Sequence, residues 1–189
     1  MGEAKRRREA QRKLFLAECD LWGQEPTQEE VTLLAQIGQM KKHTIQRVPP
    51  EQLAYMRMLP QECHQNCFSY VRLDPNKESR MLSGWWYVDD GYVAHSVVQN
   101  DTGMFCITPH FNLVDTIEFI PDSQITWHEG PDGRATPLRN GQPIPKVLRT
   151  NPRKRIAQVA ILRQRLLSGM DPMKALSLPP ESGTSPNEF

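Results

Sequence analysis

The hydrophobic period changes at Asp74-Pro75-Asn76, and that change limits the fold more than any other feature of the chain. Before it, apolar residues recur every three or four positions, as on a helix face. After it they alternate, as on a half-buried strand. Residues 2–21 read as a helix with a basic first half and an apolar second half. Thr27 and Glu30 form a capping box that opens a second helix running to about Lys42. Pro49-Pro50 ends that pattern, and short helices follow over Glu51–Met58 and about Gln61–Leu73. Strands are expected at Met81–Val88, Tyr92–Val98, Met104–Thr108 and Thr116–Ile120, joined by Asp89-Asp90-Gly91 and Asn100–Gly103 turns. The stretch from Glu129 to Pro145 reads as a loop with a small hairpin at Asn140-Gly141, and a helix opens at Asn151-Pro152 and closes at Gly169.

The expected class is therefore α+β: N-terminal helices, a central antiparallel β-meander of about four strands, and a C-terminal helix. Three regions follow: a basic helical extension (1–48), a core domain with its closing helix (49–169), and a short helix with a disordered tail from Pro179 (170–189). No apolar run approaches the roughly 18 residues of a membrane span. Charged residues stand where a signal peptide would be apolar. The expectation is a cytoplasmic protein with reduced thiols and no membrane partner.

The 189 residues carry 23 Lys and Arg against 22 Asp and Glu, unevenly spread. Residues 1–13 hold six basic groups, including Arg6-Arg7-Arg8, and residues 149–165 hold six more without an acid. Two basic segments thus flank an acidic middle. They are either solvated helix faces or contacts for nucleic acid or an acidic partner. No aromatic residue interleaves with Arg6–Arg8 or Arg153–Arg155, so the stacking half of a single-strand site is missing there.

Chemistry is concentrated in Gln61–Cys67, in Ala94-His95-Ser96-Val97 and in Cys106–His110. Pro60 puts Cys63 in a first helical turn, where the helix dipole favours a thiolate. If the Asn100–Gly103 turn sets the register, Gln99 faces Met104, His95 faces Thr108, and Cys106 is the diagonal neighbour of His95. These pieces, in series, resemble the core of transglutaminase-like and papain-like cysteine enzymes. They are most similar to a group of bacterial and phage proteins of uncharacterised function. The matching segments are Cys63-His64-Gln65-Asn66, Gly84-Trp85, His95-Ser96-Val97, Ile107-Thr108-Pro109 and Phe119-Ile120-Pro121-Asp122. The resemblance spans about one third of the chain, and it departs where Cys106 replaces an Asp that would orient the base.

That resemblance implies a cysteine-dependent acyl hydrolase or transferase acting on a protein or peptide without a cofactor. Cys63 would be the nucleophile and His95 the base, with Thr108, Cys106, Asp101 or Asp122 in the third position. Gln61 or Asn66 would help meet the oxyanion, and Trp85 or Trp86 would line the cleft. Two other readings stand beside it. Cys63, Cys67, Cys106 and His110, with His64, His95 and His128 in reserve, could hold zinc. Alternatively the thiols simply pack, Cys67 beside Phe68 and Val71 and Cys19 on an apolar helix face, and the chain is a non-enzymatic adaptor.

Overall fold

A computed structural model describes residues 2–110, 114–131 and 133–179. The chain forms two compact units, one from Glu29–Thr150 and the other from Met1–Gln28 together with Asn151–Phe189. Boundaries at 48 and 169 therefore do not coincide with the units. The second helix belongs with the sheet, and the closing helix belongs with the first.

In the first unit, α2 (Gln28–Ile37) leads to β1 (His43–Arg47), α3 (Pro50–Tyr55) and α4 (Cys63–Leu73). Then come β2 (Arg80–Val88), β3 (Gly91–Asn100), β4 (Gly103–Cys106) and β5 (Thr116–Pro121). A closed barrel in the order β1-β4-β3-β2-β5 replaces the expected meander. The meander exists only as β2–β3–β4. It is closed by β1, which runs parallel to β4 and antiparallel to β5. Closure leaves no strand edge open, which removes the liability an open meander carries. A separate sheet of β6 (Ile125–Glu129), β7 (Ala135–Arg139) and β8 (Gln142–Pro143) takes up part of the stretch from Glu129 to Pro145 expected to be loop. Its last turn is the hairpin anticipated at Asn140-Gly141, both residues at positive φ (51° and 74°).

The two faces of the barrel strands bury different residues. Outward, Trp85 and Ile120 pack on Leu33 and Ile37 of α2, while Val98 and Ile107 pack on Leu53 of α3 and Cys67 of α4. Inward, Ile45, Val97, Cys106, Ile117 and Phe119 fill the barrel, with Leu82, Trp86 and Met104 against them. Trp85 is fully buried and donates its indole N–H to Asp122 Oδ2 at 2.9 Å. Glu30, the acid of the capping box, is itself buried. Its Oε1 accepts the Arg149 backbone N–H and Nε at 2.9 Å each, and its Oε2 accepts Nη2 at 2.7 Å.

Gly84 is the tightest point. It pairs with His95 across β2 and β3, and a Cβ there would lie 2.2 Å from the Ile120 carbonyl oxygen and 2.6 Å from the Phe119 ring. Backbone cannot yield as a flexible side chain can. Gly84→Ala is expected to lower unfolding stability by about 3 kcal/mol, the upper part of the usual overpacking range. A urea titration giving less than about 1 kcal/mol would show that the strands can part here.

The second unit is helical: α1 (Glu3–Trp22), α5 (Pro152–Leu167) and α6 (Pro172–Ser177). Cys19, Val159, Leu166 and Ala175 form its core, flanked by Phe15, Leu16, Trp22, Leu162 and Met170. Asn151 caps α5 by accepting the Lys154 N–H, and Pro152 takes the first helical position. Asp171 caps α6 in the same way. Several arginines tie the segments together. Arg12 donates to the Gly169 and Met170 carbonyls, and Arg165 donates to those of Ala175, Leu178 and Pro179. The tail expected to be disordered lies, beyond Pro179, outside the described residues. Among the described residues no helix is long and apolar enough to cross a membrane.

Candidate functional site

Helix α4 is launched by Gln61, whose φ of 65° turns the chain, and its first residue is Cys63, as Pro60 led one to expect. The turn is clamped by Asn66. Its Oδ1 accepts the Leu59 N–H at 3.0 Å and its Nδ2 donates to the Leu59 carbonyl at 2.7 Å. Asn66 therefore spends its amide on the backbone, not on an oxyanion. Gln61 is exposed, with its side chain at the surface.

The Cys63 sulfur receives backbone N–H groups from Ser96, from His64 and from its own residue, all of which favour a thiolate. Burial is the larger effect and pushes the thiol up to about 11. The depressed pKa expected from the helix terminus is thus not found. Withdrawing the sulfur from water costs the anion more than the helix end and three N–H groups return.

His95 lies where the register predicted, since Gln99 does face Met104. Its partner differs from the expected one. Nε2 sits 3.3 Å from Cys106 Sγ, and among the described residues its hydrogen-bond neighbour is that sulfur and not Cys63. The imidazole is enclosed by the Trp86 ring at 5.3 Å and the Phe119 ring at 6.4 Å. Burial, then the charges of Arg47 and His110, lower its pKa to about 3. His95 is neutral at neutral pH. The Cys106 thiol is also pushed up, first by burial, against the opposing pull of the Thr108 N–H and Arg47. Thr108 Oγ1 lies beside that sulfur, buried, without a hydrogen bond of regular geometry. The interior therefore holds an uncharged thiol–imidazole pair.

The remaining candidates scatter. Asp122 is committed to Trp85, to Arg139 Nε at 2.7 Å and to the Gln124 N–H at 3.0 Å. Burial raises its pKa, but these donors outweigh it and the net shift is downward. Asp101 stands in the β3–β4 turn, six residues along the chain from His95 or roughly 20 Å of extended strand. Of the two tryptophans, Trp85 is core and Trp86 faces the interior beside His95. Cys67 packs on the outer face among Leu53, Val98 and Ile107, opposite Cys106, and burial raises its pKa as well. His110 stands edge-on to Trp86 at 4.7 Å, His64 stacks on Trp127 at 4.6 Å, and His128 is exposed. The four residues proposed for zinc are not gathered. Among the described residues no group of three or more His, Cys, Asp or Glu is arranged to hold a metal.

Arg47 is the residue that sequence reasoning missed. It donates to the Thr108 carbonyl at 3.0 Å and lies 6.0 Å over the Trp86 ring. Its strand shows no alternation that would have drawn attention to it. A cavity of about 540 Å³ lies beside Arg47 and His110, walled by Val48, Pro50, Leu53 and Met58, and neither His95 nor any of the thiols lines it. No family model matches the chain, and no curated protein or solved structure does so at a significant level.

Proposed function

We propose that this chain is a non-enzymatic adaptor. In this reading the barrel keeps the residue order of a papain-like or transglutaminase-like enzyme without its acyl chemistry, and the basic helical unit holds an acidic protein. The observation that carries it is the neutral His95–Cys106 pair sealed inside the barrel. A cysteine nucleophile needs thiolate character and a base within reach. Here the base contacts the other thiol, and burial opposes charge on all three partners.

The helical unit supplies the contrasting surface. Residues 3–10 of α1 are exposed on every side and carry Lys5, Arg6, Arg7 and Arg8 against Glu3 and Glu9. A helix turn with no buried face gains its order from charge pairs or from a partner. An acidic protein suits this unit better than nucleic acid, because the aromatic face that could stack a base, on Trp22, is already covered by Arg155 at 4.9 Å.

The reading is tested by site-resolved iodoacetamide labelling of the native protein and of His95→Ala across pH 6–10. Two pH units separate a thiol at about 11 from the ordinary 9.0. Cys63 is therefore expected to react roughly 100-fold more slowly at pH 7 than an ordinary thiol, with the same rate in His95→Ala. Early labelling of Cys63 or Cys106 that slows in the variant would instead support the cysteine hydrolase or transferase.

A further inference from the structure

In the helical unit, a groove of about 360 Å³ runs between α1, α5 and α6. Its floor is Phe15, Cys19, Val159 and Leu162, and its lip includes Leu176 and Leu178, which remain 54% and 37% exposed. Apolar side chains left open to water beside an apolar floor are the sign of a contact surface. One wall is Arg155, stacked on Trp22. Its Nε is buried and makes no hydrogen bond, and among the described residues no carboxylate pairs with it. The neighbouring charges are otherwise occupied: Glu18 accepts the Trp22 indole N–H at 3.1 Å, and Arg165 donates to carbonyls at the end of α6. A cation at the edge of an apolar groove thus lacks its acid.

We infer that this groove receives an amphipathic helix of an acidic partner protein. The helix's apolar anchors would enter between α1, α5 and α6, and a carboxylate beside them would pair with Arg155. The inference rests on the adaptor reading and gives it a docking site. Charge complementarity selects this occupant. The sequence of the unit carries twelve Lys and Arg against eight Asp and Glu, so a second copy would bring like net charge to the contact. Helix-in-groove binding places anchors at i, i+3 or i+4, and i+7, which matches an open channel between helices better than a closed pocket would. The charged pair fixes register, and the leucines exclude water around it.

The probe is a fluorescein-labelled designed helix with leucines at that spacing and flanking glutamates. A second version carries lysines in place of the glutamates. Anisotropy is read with the full chain, with Arg155→Gln, with Leu176→Glu and with a variant in which Arg6, Arg7 and Arg8 are glutamine. Both groove positions are at least partly exposed, so the variants keep the fold, which circular dichroism checks. The expected result is binding of the glutamate peptide, weakened about tenfold by either groove substitution, the weight of one charge-assisted contact. The lysine peptide is expected to bind at least about tenfold more weakly.

Equal binding of both peptides, or no effect of Arg155→Gln and Leu176→Glu, overturns the inference. If only the variant carrying Arg6→Gln, Arg7→Gln and Arg8→Gln loses the acidic peptide, the adaptor reading stands and the groove falls. If no variant matters and neither peptide binds, both fall. Sedimentation showing a dimer that Leu176→Glu makes monomeric would assign the groove to a second copy and overturn the proposal.

Discussion

Replacing Arg149 by methionine is expected to destabilise the barrel unit by about 3–5 kcal/mol, because it strands a carboxylate in the interior. Glu30 and Arg149 are 2% and 1% exposed, and the Arg149 backbone N–H, Nε and Nη2 all donate to the Glu30 carboxylate. The attraction between two such charges roughly offsets the cost of taking both from water. Removing one leaves the whole desolvation cost of the other. Glu30→Gln with Arg149→Met should recover much of the loss, since the amide still offers an acceptor for the Arg149 backbone N–H while no net charge remains buried. Urea titrations of the single and double variants, followed by tryptophan fluorescence, give the coupling directly. A single variant within about 1 kcal/mol of the parent would mean that water reaches this pair, contrary to its burial.

Acidification below pH 6.5 is expected to weaken the fold well before the carboxylates titrate. His95 has its folded pKa depressed to about 3. The unfolded chain binds the proton at about 6.5 and the folded chain does not, so stability is full above 6.5 and falls as pH drops toward 3. The slope approaches roughly 1.4 kcal/mol per pH unit for one such group. The groups acting on the imidazole are Arg47 and His110, both cationic when charged, with the Cys106 thiol as its hydrogen-bond neighbour. No carboxylate is among them to rescue the imidazolium. His95→Gln should flatten most of the dependence between pH 6 and 4.5. A weaker slope of the same sign should remain from His64 and His110, which burial also holds below their ordinary values. Unfolding free energies measured at several pH values decide it, and an unchanged slope in His95→Gln would show that another group carries the acid response.

The register around His95 was legible because it depends on neighbours in sequence. Asn100–Gly103 fixes which residues of β3 and β4 face each other, and from that the approach of His95 to Cys106 follows. The start of α4 was legible for a similar reason, through Pro60. What stayed hidden depends on distant segments. β1 has a single buried residue, Ile45, between positions that face outward or sit at the barrel end, so it shows no period. Without β1 there is no barrel and no Arg47 beside Thr108. The side of Cys63 that faces Ser96 is likewise decided by packing of α4 on β3, and burial, not helix position, then sets its pKa. The pairing of Glu30 with Arg149 was hidden for the same reason, since the two stand 119 residues apart.

The helical unit has a consequence for how the chain is made. Its core joins Cys19 of α1 to Val159, Leu166 and Ala175, residues that bracket the entire barrel in the sequence. At synthesis rates of roughly 5–20 residues per second, α1 emerges on the order of ten seconds before its partners. During that interval Phe15, Leu16 and Cys19 have no mates within their own unit, and the barrel sequence is itself still being made. The dense charge of Lys5 to Arg8 stands next to that uncovered stripe, and like charge of this kind favours solubility over association.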